Sequence, residues 1–278
     1  MNAIQHKPRI LVFDSGVGGL SVMHEIQQRL PHCQYLYASD NAAFPYGTKA
    51  ESELIARVDQ VLHALLQHIE QGYGPVDMIV VACNTASTLT LPHIRSHFSQ
   101  PIVGVVPAIK PAALQSRSKV IGLLATPATV ARPYTHDLIR EHAAHCTVIS
   151  VGSSELVQLA EQKLRGEIIA PEKIAAIVAP FYTAPRSAEL DTIVLACTHF
   201  PLLKDELRHS LPEGIQLIDS GEAIARRVEF LLQQQPPVAH TDVRHGHLAL
   251  FTKATRDVEL LRTALRDFAL ENIEIVAC

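Results

Sequence analysis

Among the 278 residues there is no apolar run approaching the length that spans a bilayer, and no long block of charge of one sign. The first absence excludes a transmembrane helix, which needs about 20 consecutive apolar residues. The second, with a formal net charge of -4, removes the electrostatic footprint expected of a nucleic-acid binder or of a protein held on an anionic membrane. A small substrate is therefore expected rather than a polymer. The opening stretch MNAIQHKPRILVFDSG lacks the charged-then-apolar order of a signal peptide, so the cytoplasm is the expected address. No G-x-x-x-x-G-K-[ST] loop occurs, which takes away the commonest nucleoside triphosphate signal. Paired cysteines are missing too. The five that occur, Cys33, Cys83, Cys146, Cys197 and Cys278, are odd in number and widely spaced, which fits neither a disulfide framework nor a zinc pattern. They are expected to be free thiols, and most free thiols in a reducing compartment are small buried hydrophobes. Something further must single out any that act.

The length exceeds what one hydrophobic core usually organises, so two domains are expected. The apolar run RILVF (9–13) is followed by DSGVGG (14–19) and then by Leu20, Met23, Ile26 and Leu30 at helical spacing, which reads as strand, loop and helix. Residues 51–70 place Leu54, Ile55, Val58, Val61, Leu62, Leu65, Leu66 and Ile69 on one stripe, an amphipathic helix. Short continuous apolar runs recur at MIVVAC (78–83), IVGVV (102–106), VIGLLA (120–125), TVISV (147–151), TIVLAC (192–197), IQLID (215–219) and HLALF (247–251), with helical stretches between most of them. Such alternation predicts an α/β protein with largely parallel sheets flanked by helices. QQQPPVAH (233–240) reads as a polar surface connection before a last strand–helix–strand unit.

An internal echo singles out two of the thiols. Asp77-Met-Ile-Val-Val-Ala-Cys83 is matched by Asp191-Thr-Ile-Val-Leu-Ala-Cys197, 114 residues on. RILVFDSGVGGL (9–20) has a weaker counterpart in KVIGLLATPATV (119–130), 110 residues on. Two features repeating in order at nearly one offset predict two related halves, each offering a cysteine just past a strand's carboxyl end, where ligands of open α/β sheets bind. Chance likeness of buried strands accounts for the apolar letters, not for both Asp and both Cys.

Two like acid–base groups on opposite sides of a carbon are what inversion of a stereocentre beside a carboxylate requires. One removes the proton from one face, the other supplies a proton to the opposite face, and the roles exchange in reverse. Thiols suit the task, with a reference pKa of about 8.5 that surroundings can lower. His199, two residues beyond Cys197, and Asp14, after the first strand, are candidates to hand protons to one thiol each; an Asp there is also a common helix cap, and a lone His is often merely packed. Ser15, Asn84, Thr85 and Thr198 adjoin these groups, where loop-to-helix junctions offer backbone N–H groups to an anion or to a capping side chain. Gly16, Gly18 and Gly19 invite a dinucleotide-binding reading, but Ser21 stands where the third glycine belongs, and Asp14 would bring charge to the pyrophosphate. His240, His245 and His247, and His142, His145 and Cys146, cluster without a familiar ligand spacing and read as surface groups, so no metal is expected. A Cys–His hydrolase built on Cys197 and His199 remains a competitor, though it leaves Cys83 without a purpose. A non-catalytic amino-acid sensor is another.

Six motifs, FDSGVGGLSV (13–22), SDNAAFPYGTK (39–49), VACNTAS (81–87), LLATPATV (123–130), LACTHFPLL (195–203) and IDSGEAIARR (218–227), resemble the glutamate racemases of the aspartate/glutamate racemase superfamily over nearly the whole chain. The resemblance implies a two-domain, pseudo-symmetric α/β enzyme with its active site in a cleft between the domains, needing no pyridoxal phosphate, other cofactor or metal. It implies interconversion of L- and D-glutamate, with D-glutamate supplied for peptidoglycan. It makes Cys83 and Cys197 the catalytic pair, assisted by Asp14 and His199. Ser15, Pro45, Tyr46, Gly47, Asn84, Thr85, Thr126 and Thr198 become substrate contacts. Glu161, in SSELVQLAEQK (153–163), matches an acidic residue near the second cysteine, although its flanking sequence departs from the commoner form. By the same resemblance the chain leaves the first domain and returns to it, with the second domain at 103–213 and the first at 1–102 and 214–278. It admits a homodimer as the assembly and a cell-wall precursor as a regulator, and aspartate as the rival substrate.

Overall fold

The computed structural model describes residues 7–235 and 246–278, so most of the 233–240 stretch, with His240 and His245, lies outside the described residues. Ten strands among these residues form two sheets. They are β1 (Arg9–Asp14), β2 (Gln34–Ser39), β3 (Met78–Val81), β4 (Ile102–Gly104), β5 (Val120–Ala125), β6 (Thr147–Gly152), β7 (Thr192–Leu195), β8 (Gln216–Ile218), β9 (Leu248–Phe251) and β10 (Asn272–Ile275). One sheet runs β10-β9-β2-β1-β3-β4 and the other β6-β5-β7-β8. Every strand pairing is parallel. This is the α/β class expected from uninterrupted apolar runs, since parallel strands covered by helices have no polar face to show. Each residue of β1, β3, β5, β7 and β9 is buried accordingly.

The chain divides into two compact units, one within Met1–Val105 and Gly221–Cys278 and the other Val106–Ser220. In the first, the helix Glu51–Tyr73 turns Leu54, Val58, Val61, Leu62, Leu65 and Ile69 onto Leu11, Phe13, Leu36, Ile79 and Val81 of the sheet. Each such side chain contributes about 1.5–3 kcal/mol by leaving water. In the second, Ile121, Leu123 and Val194 pack with Ala108, Ile109, Ala112 and Ala113. The segment 215–219 was expected in the terminal unit, but β8 pairs with β7 and so belongs to the second unit, which extends to Ser220 rather than 213. A short strand carries no mark of which sheet it will join.

Strand β2 was not foreseen. QYLYAS mixes polar and aromatic letters, yet all six residues are buried. The two tyrosines carry their polar ends to carbonyls: Tyr35 Oη donates to Leu30 O (2.8 Å) and Tyr37 Oη to Gly16 O (2.6 Å). Such bonds remove the cost of burying a hydroxyl.

The two units share a strand arrangement. Taking β1 to β4 in turn with β5 to β8, the order β2-β1-β3-β4 is reproduced by β6-β5-β7-β8. The register fixes the correspondence: Ile10 pairs with Met78 and Ile121 with Thr192. β3 and β7 are thus 114 residues apart as expected, whereas β1 and β5 are 111 apart, one residue more than the sequence comparison suggested. The repeated aspartates sit at the amino ends of these strands, away from the cysteines. Asp77 Oδ2 accepts Arg9 N (2.6 Å), and Asp191 Oδ2 accepts Arg117 N (2.8 Å) and Ser118 N (2.9 Å). Each therefore latches its strand to the start of the neighbouring one.

Candidate active site

In the first unit the chain after β1 must turn sharply into the helix Gly19–Arg29, leaving N–H groups that a nearby carboxylate satisfies. Asp14, 1% exposed, accepts Ser15 N through Oδ1 (2.7 Å) and Gly19 N through Oδ2 (2.7 Å). The capping alternative for Asp14 is thus realised. Gly19 itself is dictated by close approach: a Cβ there would lie 3.0 Å from both the Asp14 and the Ala82 Cβ atoms. That packing, not pyrophosphate binding, accounts for the glycine.

Cys83 follows β3 and is the N-cap residue of the helix Asn84–His97, whose positive dipole end favours negative charge nearby. Its exposure is 7%. Asn84 and Thr85 form the buried first turn. Ser87 clamps this junction, its Oγ donating to Val81 O (2.9 Å) and accepting Val105 N (2.9 Å). Asp14 and Cys83 stand at the carboxyl ends of adjacent strands, Ala82 N donating to Phe13 O (2.7 Å).

Pro45, Tyr46 and Gly47 lie on the loop after β2, with a cis bond between Phe44 and Pro45. Tyr46 is buried beside Cys83 in the core of the unit. Its hydroxyl donates to Asp40 Oδ2 (2.7 Å). Burial first, then Asp40 and Cys83, push the phenol far above its ordinary range, so the side chain is a neutral donor. Pro45 and Gly47 are half-buried. Asp40, fully buried, also accepts Arg57 Nη2 (2.6 Å), Arg57 Nε (2.9 Å) and Thr252 Oγ1 (2.8 Å). This set of partners fixes the loop, and sequence reading had given Asp40, Arg57 and Thr252 no role.

In the second unit Cys197 and Thr198 follow β7, and His199 precedes the short 3-10 turn Phe200–Leu203. Cys197 Sγ is 3.8 Å from His199 Nδ1, and His199 Nε2 is 2.9 Å from Glu161 Oε1, on the helix Glu155–Leu164. His199 is 4% exposed. Burial opposes its charge, but the hydrogen bonds to Cys197 and Glu161 outweigh that and raise the imidazole well above its ordinary value. Glu161, flagged only by resemblance, thus meets His199 directly. Thr126, after β5, accepts Thr129 N (3.3 Å) as the N-cap of the helix Pro127–Ala131.

With the register set at 111 residues, Asp14 of β1 corresponds to Ala125 of β5, while His199 corresponds to Thr85. The strands repeat but the titratable partner does not: an acid at the end of the first strand in one unit, an imidazole beyond the third in the other. Of the histidines read as surface groups, His247 needs correcting. It is half-buried, accepts Tyr35 N through Nδ1 (3.1 Å), and burial, then Lys7, lower its pKa. None of the clusters foreseen in sequence places metal ligands together among the described residues; the group that does is Asp59, His93 and His97.

The family model for Asp/Glu/Hydantoin racemase matches residues 10–228, which covers both cysteine-bearing strands. The chain belongs to that family. Within the Asp/Glu/Hydantoin racemases it is 48% identical to the glutamate racemase of Salmonella paratyphi A over 271 residues, 98% of this chain and 93% of the relative. It is also 48% identical to that of Pectobacterium carotovorum, over 96% of this chain and 91% of the relative. Its fold is similar to the crystal structure of Escherichia coli glutamate racemase in complex with L-glutamate and the activator UDP-MurNAc-ala, with a TM-score of 0.91, 46% identity and 98% of each chain covered. A glutamate racemase of Bacillus anthracis matches with a TM-score of 0.78 and 26% identity over 98% of each chain. Among the described residues no helix is long and apolar enough to cross a membrane.

Proposed function

We propose that this chain is a glutamate racemase that inverts the α-carbon with Cys83 and Cys197 as its two acid–base groups, without a cofactor. The observation that carries the reading is the placement of one cysteine two residues past the third strand of each unit, in sheets that share the order of four strands. A two-base inversion needs matched groups, and the two units supply them at corresponding positions.

In this reading Cys197 Sγ, as thiolate, takes the α-proton of L-glutamate, and the Cys83 thiol gives a proton to the opposite face. The reverse reaction exchanges the roles. The proton that arrives is not the one that leaves, so product formed in deuterium oxide carries α-deuterium. His199, between Cys197 and Glu161, returns protons to and from that sulfur. Asp14 serves Cys83 while holding the Ser15–Gly19 turn. Ser15, Asn84, Thr85, Thr198 and the Pro45–Gly47 loop bind the charged ends of the substrate, with Thr126 at the edge of the second set. The two compact units are taken as the domains of the enzyme. The cytoplasm is its place, D-glutamate for peptidoglycan its product, a homodimer its assembly and a cell-wall precursor its regulator, the last supported by the activator in the E. coli relative's structure.

The test is incubation of purified protein with L-glutamate in deuterium oxide, following optical rotation and α-deuterium, beside Cys83→Ser and Cys197→Ser variants. Rotation decaying to zero with deuterium entering, and both variants badly impaired, supports two-thiol racemisation. A hydrolase would depend on one cysteine and release a product of different mass. A sensor would bind glutamate without exchange. Inversion of aspartate but not glutamate would reassign the substrate.

A further inference from the structure

We propose that Asp59, His93 and His97 form a binding site for a divalent transition metal of the zinc class, built between two helices of the first unit and separate from the residues assigned above. Asp59 comes from the helix Glu51–Tyr73, and His93 and His97 from the helix Asn84–His97. One ligand atom from each lies within 4.8 Å of the others. The histidines are four residues apart on one helix, a spacing that puts both on the same face. Their rings stack with centroids 4.0 Å apart.

Three features go beyond proximity. First, His97 Nδ1 is 2.8 Å from the His93 carbonyl oxygen. A carbonyl only accepts, so Nδ1 carries the proton and Nε2 keeps its lone pair for a metal, the backbone-oriented tautomer common among ligating histidines. Second, Asp59 Oδ1 is withdrawn from solvent and accepts no hydrogen bond among the described residues. Its neighbour is His93 Nε2 at 3.2 Å, an ion-pair distance without hydrogen-bond alignment. That oxygen thus has a ring nitrogen at ion-pair distance but no hydrogen bond, a position that an ion bonded to both atoms would satisfy. Third, His63 supports the acid from outside: its Nδ1 donates to Asp59 O (2.9 Å) and lies 3.5 Å from Oδ2.

Two imidazole nitrogens and one carboxylate oxygen suit zinc, cobalt or nickel rather than calcium or magnesium. Bonds of about 2.0–2.1 Å around a tetrahedral ion separate ligand atoms by about 3.3 Å. Asp59 and His93 already stand at that separation, and His97, whose ring is exposed, closes the remainder by a side-chain rotation that gives up its stacking on His93 and its bond to the His93 carbonyl. Water would fill the fourth position. The ion would tie the last turn of the helix that begins at Cys83 to the helix beside it.

The test is titration of metal-free, full-length protein with Zn2+ by calorimetry and with Co2+ by absorption. The expected result is one ion per chain, a cobalt spectrum of nitrogen and oxygen ligands without a thiolate charge-transfer band, and a rise in the thermal midpoint. His93→Gln, His97→Gln and Asp59→Asn should each weaken binding by at least about tenfold. His97→Gln changes an exposed ring, so it keeps the test open should Asp59→Asn fold poorly. No binding by the wild type, equal binding by the histidine variants, or a thiolate band that survives in them would each overturn the site.

Discussion

His199 Nε2 lies 2.9 Å from Glu161 Oε1 while its Nδ1 faces Cys197 Sγ at 3.8 Å, so one buried imidazole is shared between a carboxylate and a thiol. Its pKa is raised, and the sign of the consequence follows. The stability it contributes is complete below the ordinary imidazole value and is lost as pH rises through the raised one. Glu161→Gln removes one cause of the rise, so the His199 ring proton, followed by NMR, should titrate at lower pH than in the wild type. The variant should lose roughly tenfold in kcat, less than the 10²–10⁴ an acid–base group itself supplies. Because racemisation has an equilibrium constant of one, kcat/KM must fall equally in both directions. The affected side should show instead as a larger α-deuterium isotope effect with L-glutamate, and an unchanged titration would remove Glu161 from this role.

The loop bearing Pro45, Tyr46 and Gly47 hangs on Asp40. Asp40→Asn leaves the Arg57 guanidinium without its charge partner and should cost about 3 kcal/mol in urea unfolding. Tyr46→Phe deletes only one donor to the same carboxylate and should cost about 1 kcal/mol. Both should raise KM for glutamate more than they lower kcat, since the loop is assigned to binding. Equal losses from the two variants would contradict the arrangement.

Gly19→Ala tests close packing rather than turn conformation. The added methyl would press at 3.0 Å on the Cβ atoms of Asp14 and Ala82, which cannot rotate away. The turn or the end of β3 must shift, at about 1–3 kcal/mol. A thermal midpoint at or above the wild-type value, as helix propensity alone would give, would refute the reading.

Asp191 gives a pH prediction of the opposite sign. Burial works against its ionised form, but hydrogen bonds from Ser118, Ser116, Thr192 and Arg117 prevail and hold the carboxyl at about 2. Its stabilisation is present above the ordinary carboxylate value and is lost as pH falls toward 2. Asp191→Asn should therefore cost about 1–2 kcal/mol at neutral pH, allowing for solvent screening, and progressively less in acid. A deficit that stays constant from pH 7 to about pH 2 would show that charge is not what the latch uses.

Much of this was legible because parallel strands and short loops write themselves locally. The apolar runs marked most of the sheet, and the Asp-to-Cys echo marked the two cysteines. The same echo left Asp77 and Asp191 without a role; they sit at the other end of the strands as latches. The one-residue error between β1 and β5 matched Asp14 with Leu124, whereas the strand register matches it with Ala125. Asp40, Arg57 and Thr252 were illegible because their contacts span up to 221 positions in the chain. Glu161 rested on resemblance alone, since nothing local tells a helical glutamate which histidine it will meet.

The first sheet takes β1 to β4 from before the second unit and β9 and β10 from after it. The second unit is continuous and holds all the strands of its own sheet, so its pairings can form as soon as Ser220 has been synthesised. The first must wait. Until β9 arrives, β2 presents an open edge and Asp40 lacks Thr252, so the loop carrying Tyr46 acquires its last support only once β9 has been made. The support of the loop beside Cys83 thus depends on strands that follow the second unit, whereas every strand of the sheet that leads to Cys197 lies within that unit.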